Sequence, residues 1–151
     1  MSQYVDITFA DNYFLSKLHT DAWDNATSEE KDQALMMMTS AIDNLQYIGS
    51  KAEESQDLEF PRQYDGVVET EVPDRIKMAT CEGAISLLDG VDTNIEYENM
   101  HMTSQKYANV SSAYNGNVSE HIIYGIPSGT AWRYIKPFLE EKQTIDLARV
   151  S

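Results

Sequence analysis

The sequence predicts a mainly α fold: a small helical bundle with a projecting β-hairpin or long loop and an extended C-terminal arm. Three observations lead there. A capped amphipathic stretch runs from Thr27 to Gly49, and a second helical pattern runs from Pro73 to Gly90. After Gly90 the helical period gives way to short alternation and turn residues. In the first stretch, Thr27 with Glu30 three residues on reads as a capping box, and Glu29, Glu30 and Asp32 add negative charge where the first-turn N–H groups are unpaired. Leu35, Met38, Ile42 and Leu45, widened by Ala34, Met37, Ala41 and Ile48, form an apolar stripe that has to be buried. Gly49 is placed to end that helix, and Phe60-Pro61 sets an extended exit.

The remaining elements follow in order. Thr8 and Asp11 suggest the cap of a first helix over roughly residues 10–22, with Tyr13, Phe14, Leu18 and Trp23 as its aromatic-rich face. Residues 49–72 are polar and acidic and read as a surface excursion pinned by Leu58, Phe60 and Tyr64. Pro73 fits the first turn of the next helix, and its small residues Ala79, Gly83 and Ala84 allow another helix to approach closely. Between about 91 and 127, alternation over Ile95–Met102 and around Tyr107, Val110 and Tyr114, with the turn pair Asn115-Gly116, predicts a projecting hairpin or loop. Ser128 or Thr130 caps a short helix through Trp132, Ile135 and Lys136 that Pro137 ends. Residues 1–136 then form one domain, and 137–151 form an arm whose apolar residues need a surface to cover them, on this chain or on another.

Composition limits the chemistry. At 151 residues with 42% apolar and 24% charged residues the chain is one folded domain. The single cysteine, Cys81, cannot close an internal disulfide, which suits a reducing cytoplasm, and neither a membrane span nor a signal sequence is expected. Cys81 reads as a small buried residue, and His19, His101 and His121 stand apart from any ligand spacing, so no metal and no cofactor is expected. No phosphate loop, nucleophile elbow or paired catalytic carboxylate is present in the pattern, so the chain reads as a non-enzyme. A net charge of −14 disfavours phosphate backbones and anionic membranes unless the eleven Lys and Arg residues gather in one patch.

Four passages resemble the head–tail connector, or adaptor, proteins of tailed bacteriophages. They are YVDITFADNYFLSKLHTDAWDNA at the start, ALMMMTSAIDNLQYIGSKA with its sequel QDLEFPR, the VPDRIKMATCEGAISLL helix, and WRYIKPFL with the arm behind it. That resemblance implies a structural virion subunit, assembled in the host bacterial cytoplasm, that forms a ring of copies of itself between the portal protein and a tail or stopper protein. Double-stranded DNA would pass through its acidic lumen without specific binding. It also implies a portal contact through the C-terminal segment, with Phe138, Leu139, Ile145, Leu147, Arg149 and Val150 as candidate anchors. Similar sequences are also described as single-stranded-DNA-binding proteins akin to a primosomal protein, so a replication accessory is the alternative; a small cytosolic regulatory or enzymatic domain is a third reading.

Overall fold

The computed structural model describes residues 2–106 and 119–140, with backbone alone over 101–106. The fold is mainly α with one small antiparallel sheet. Its first helix, α1 (Ile7–Phe14), starts earlier than the sequence suggests because Asp6, not Thr8 or Asp11, caps it: the Asp6 carboxylate accepts the Phe9 N–H at 2.8 Å. Asp11 serves a tertiary purpose instead, accepting the Trp23 indole N–H at 2.8 Å and pairing with Lys31 at 3.6 Å. The single helix expected over 10–22 is therefore broken. The chain leaves α1 at Leu15, passes through His19 in the left-handed region at φ 61°, and re-enters a one-turn helix, α2 (Asp21–Asp24), that buries Trp23.

Helix α3 (Ser28–Asp43) begins as the sequence predicts. Both halves of the Thr27–Glu30 capping box are formed, at 3.1 and 2.9 Å. Leu35, Met38 and Ile42 of the predicted stripe are fully buried, each worth roughly 1.5–3 kcal/mol of transfer from water. The helix stops at Asp43, short of Gly49, because Tyr47 folds back into the core and donates its hydroxyl to the Ile42 carbonyl at 2.6 Å. That bond satisfies a carbonyl at the helix end, where a continuing turn would otherwise be needed.

The segment expected as a surface excursion contains the sheet: β1 (Ser50–Lys51), β2 (Arg62–Tyr64) and β3 (Val67–Val68), antiparallel in the order β1-β2-β3. Two backbone positions make it possible. Gly49, at φ +82°, lets the strands close, since a Cβ there would lie 2.3 Å from the Gln63 carbonyl oxygen. Asp65 and Gly66, both at positive φ, form the tight turn that joins β2 to β3. Arg62, 4% exposed, ties the sheet down; its guanidinium donates to the carbonyls of Tyr47, Ile48, Gly49 and Glu59 and to the Glu59 carboxylate at 2.8 Å. The peptide bond between Phe60 and Pro61 is cis.

Helix α4 (Asp74–Leu88) is the hub, packing against α3 on one side and, through Ile76 and Ala79, against the C-terminal helix on another. Gly83 gives α3 its close approach, because Met38 occupies the space a Cβ would take. Two apolar clusters result. Met38, Ile42, Tyr47, Phe60, Ile76 and Ile135 belong to one, and Phe14, Trp23, Leu35, Cys81 and Ala84 to the other.

After Gly90 the chain forms a helix, α5 (Thr93–Lys106), where a hairpin or loop was expected. The physical reason is a cap that alternation obscured: the Asp92 carboxylate accepts the N–H groups of Asn94 and Ile95, at 2.9 and 3.2 Å. Asn115-Gly116 lies outside the described residues. A one-turn helix, α6 (Glu120–Ile123), leads to α7 (Gly129–Ile135), which Ser128 caps as predicted by accepting the Ala131 N–H at 3.1 Å. A 3-10 turn over Lys136–Phe138 follows, and the chain then runs back along residues 46–48, with Ile48 donating to Phe138 and Glu140 to Gln46.

Candidate nucleic-acid interface

Most cations of the described residues are engaged locally. Lys17 pairs with Glu82 at 3.3 Å, Lys31 with Asp11, Arg62 with Glu59 and Lys136 with Glu120. Lys51 donates to the Gln56 carbonyl. Among the described residues Arg75, Lys77 and Arg133 form no ion pair; the first two lie on α4 and the third on the adjoining α7.

Each has an aromatic companion or stands next to one. The Arg75 guanidinium lies 5.2 Å from the Tyr134 ring centroid, Lys77 lies 5.6 Å from that of Phe9, and Arg133 precedes Tyr134 on α7. Phe9 and Tyr13, four residues apart on α1, share a helix face, and Lys17 sits 5.1 Å from the Tyr13 ring. Tyr13 is close enough to Tyr134 that the two phenols interact electrostatically. Three half-buried rings, each met by one cation, thus make up a strip drawn from α1, α4 and α7, with Arg133 adjoining it in sequence.

The fold fixes this strip in place. Pro137 has no N–H, so the Arg133 carbonyl loses the donor that helical bonding would supply; Arg75 replaces it, donating to the carbonyls of Arg133 at 3.0 Å and Tyr134 at 3.4 Å. The side chain is held in this way although the residue is exposed. Tyr13 donates its hydroxyl to the Glu82 carboxylate at 2.5 Å, and burial, reinforced by that carboxylate, pushes the phenol well above its ordinary value. Glu82 is in turn matched by Lys17, so the carboxylate in the strip carries its own counter-charge. Chemically the surface sets cations against aromatic rings, two components that recur in sites for unpaired nucleotides.

The sequence-predicted anchors lie elsewhere. Phe138 and Leu139 are half-buried against this chain's own core, Phe138 edge-on to Phe60 at 5.4 Å and Leu139 bridged to Tyr47. Ile145, Leu147, Arg149 and Val150 lie outside the described residues. The strip itself escaped sequence reasoning, which looked for aromatics interleaved with cations along the chain. They interleave in space, from three helices. The adjacent pair Arg133-Tyr134 and the Tyr13–Lys17 spacing were the available signals.

The other candidate residues stand apart from the strip. Cys81 is buried, and burial pushes its thiol up to about 12, Glu82 adding to the effect. His19 is exposed, and His121 bonds the Ile126 carbonyl through Nδ1 at 2.8 Å.

A family model described as "Putative DnaT-like ssDNA binding protein" matches residues 2–146. No curated protein and no solved structure matches the chain. The family match overturns the head–tail connector assignment, and with it the virion and packaging role, the ring under a portal, the portal and tail partners, and duplex DNA passing without binding. The physical reason is visible in the structure. The passages that suggested a connector are largely the caps and buried faces of α1, α3, α4 and α7, which build a body and leave its use open.

Proposed function

The chain belongs to the DnaT-like ssDNA binding protein family, and on that premise we propose that it binds single-stranded DNA as a non-catalytic accessory of replication, through the strip on α1, α4 and α7. The observation that carries the reading is the placement of Arg75 and Lys77, without carboxylate partners among the described residues, against the rings of Tyr134 and Phe9, with Lys17 against Tyr13 and the unpaired Arg133 next to Tyr134 in sequence. Unpaired bases stack on such rings whatever their identity, while cations track the backbone. A duplex hides its base faces and gains only the electrostatic part.

The net charge of −14 does not exclude this. Screening at about 0.1 M salt confines exposed charges to roughly 10 Å, so a local cluster of cations acts on a strand while distant carboxylates do not. In this reading α1, α4 and α7 act as the small helical bundle that presents the strand, and the protein works in a reducing cytoplasm, where a lone buried thiol stays reduced.

The test is fluorescence anisotropy of a labelled oligothymidylate over a salt series. Three phosphate contacts give a slope of log affinity against log salt near −2, at about 0.7 per contact. Exchanging Lys77→Gln and Arg133→Gln together should bring that slope to roughly −0.7. A wild-type protein that ignores single strands at about 0.1 M salt, or a double variant with an unchanged slope, sinks the proposal. Duplex DNA should compete poorly.

A further inference from the structure

On the far side of α7 lies an aromatic pair that the strip does not include. Tyr124 and Trp132 are stacked, with ring centroids 5.3 Å apart and planes 11° from parallel. Trp132 is 7% exposed, whereas Tyr124, at 51%, leaves the other face of its ring open to solvent. The arrangement is held from several directions. The Trp132 indole donates to Glu120 at 2.8 Å, and Lys136 pairs with the same carboxylate oxygen at 3.0 Å, so the charge under the stack is neutralised. Gly125, at φ +81°, turns the chain immediately after Tyr124, and the Ile126 N–H bonds the His121 carbonyl at 2.8 Å. A ring fixed this way loses little freedom when a second ring stacks on it.

The position of Arg133 connects this pair to the strip. At 100° per residue Trp132 and Tyr134 point to nearly opposite sides of α7, Arg133 lies between them, and Lys136 falls near Trp132. The passage from one side to the other is about one helix diameter, roughly 10–12 Å, and cations mark it. We propose that Tyr124, backed by Trp132, is a second nucleobase-stacking platform, so that a bound single strand crosses α7 over Arg133 and places a further base on Tyr124. This rests on the single-strand-binding reading above. A bland alternative exists, in which Tyr124 only shields Trp132 from water.

The experiment separates them. Wild type, Tyr124→Ala, Tyr124→Phe and Tyr124→Leu are titrated with oligothymidylates of about four and about sixteen nucleotides, which bracket the site sizes of single-strand-binding folds. Stacking predicts that Tyr124→Ala binds the longer strand roughly 5- to 100-fold more weakly, with little change for the shorter one, and that Tyr124→Phe binds as wild type does. Tyr124→Leu keeps an apolar cover over Trp132 but has no ring, so it should fold normally and still lose the long-strand affinity. Tryptophan emission should be quenched by the longer strand in wild type. If Tyr124→Ala or Tyr124→Leu binds the longer strand as tightly as wild type, the platform is refuted while the strip stands. If wild type binds neither strand, the single-strand reading fails and the platform falls with it.

Discussion

Replacing Gly83 by alanine tests how closely α3 and α4 pack. A Cβ at Gly83 would lie 2.0 Å from the Met38 sulfur, 2.6 Å from its Cε and 2.7 Å from its Cγ. These distances fall well inside van der Waals contact, and Met38 is fully buried, so the side chain has no free space into which to swing. Overpacking of this kind costs about 1–3 kcal/mol, against which alanine in a helix interior gains about 0.5–1 kcal/mol over glycine. The net expectation is a loss of up to about 2.5 kcal/mol, a fall in Tm of up to about 10 °C for a chain of this size. Urea denaturation of a four-member cycle gives the decisive reading. Met38→Ala alone should cost about 2–5 kcal/mol, but in its background the obstruction is gone and Gly83→Ala should change sign, stabilising by about 0.5–1 kcal/mol. The reasoning is refuted if Gly83→Ala stabilises the wild type, or costs the same in both backgrounds.

Two further outcomes follow from the polar groups of the core. Arg62→Met should cost about 3–5 kcal/mol in urea denaturation, because it strands the Glu59 carboxylate and a ring of carbonyls, and Arg62→Lys should recover little since a point charge cannot span them; a loss under about 1 kcal/mol would contradict the assigned role. Asp43, which accepts from the Tyr4 hydroxyl and the Glu59 N–H, has its carboxyl raised above 3.8, chiefly by burial, with those bonds opposing the rise. Because the folded state then holds its proton longer than the unfolded state, this carboxyl lowers stability progressively as pH rises from 3.8 through its folded value. Asp43→Asn keeps both bonds and cannot ionise, so its stability relative to wild type should grow over that window; a difference that stays flat with pH would contradict the sign.

Local chemistry explains what was legible. The Thr27–Glu30 box, the stripe of Leu35, Met38 and Ile42, the helix before Gly90 and the Ser128 cap all lie within a few residues of the atoms they satisfy, so they read directly from sequence. The misreadings have separate physical causes. Asp11 looks like a cap but bonds Trp23 and Lys31, and Tyr47 ends α3 by returning to it from outside the helix. The sheet was missed although Asp65-Gly66 is a strong hairpin signal, because its strands are two or three residues long and its main tether is Arg62, a residue type expected at the surface. Helix α5 was missed because alternation was weighed over the Asp92 cap.

The sequence by itself determined a mainly helical fold, the cores of α3, α4 and α7, and an acidic balance, since all of these follow from periodicity, capping and composition. Tertiary structure alone decided which charges remain available. Eleven cations against twenty-five carboxylates suggest a surface hostile to DNA. Folding matches several of those cations with acids, leaves Arg75, Lys77 and Arg133 without an ion pair among the described residues, and seats Arg75 and Lys77 against half-buried rings of other helices. Such a surface is a property of distances between elements, which no pattern along one element encodes.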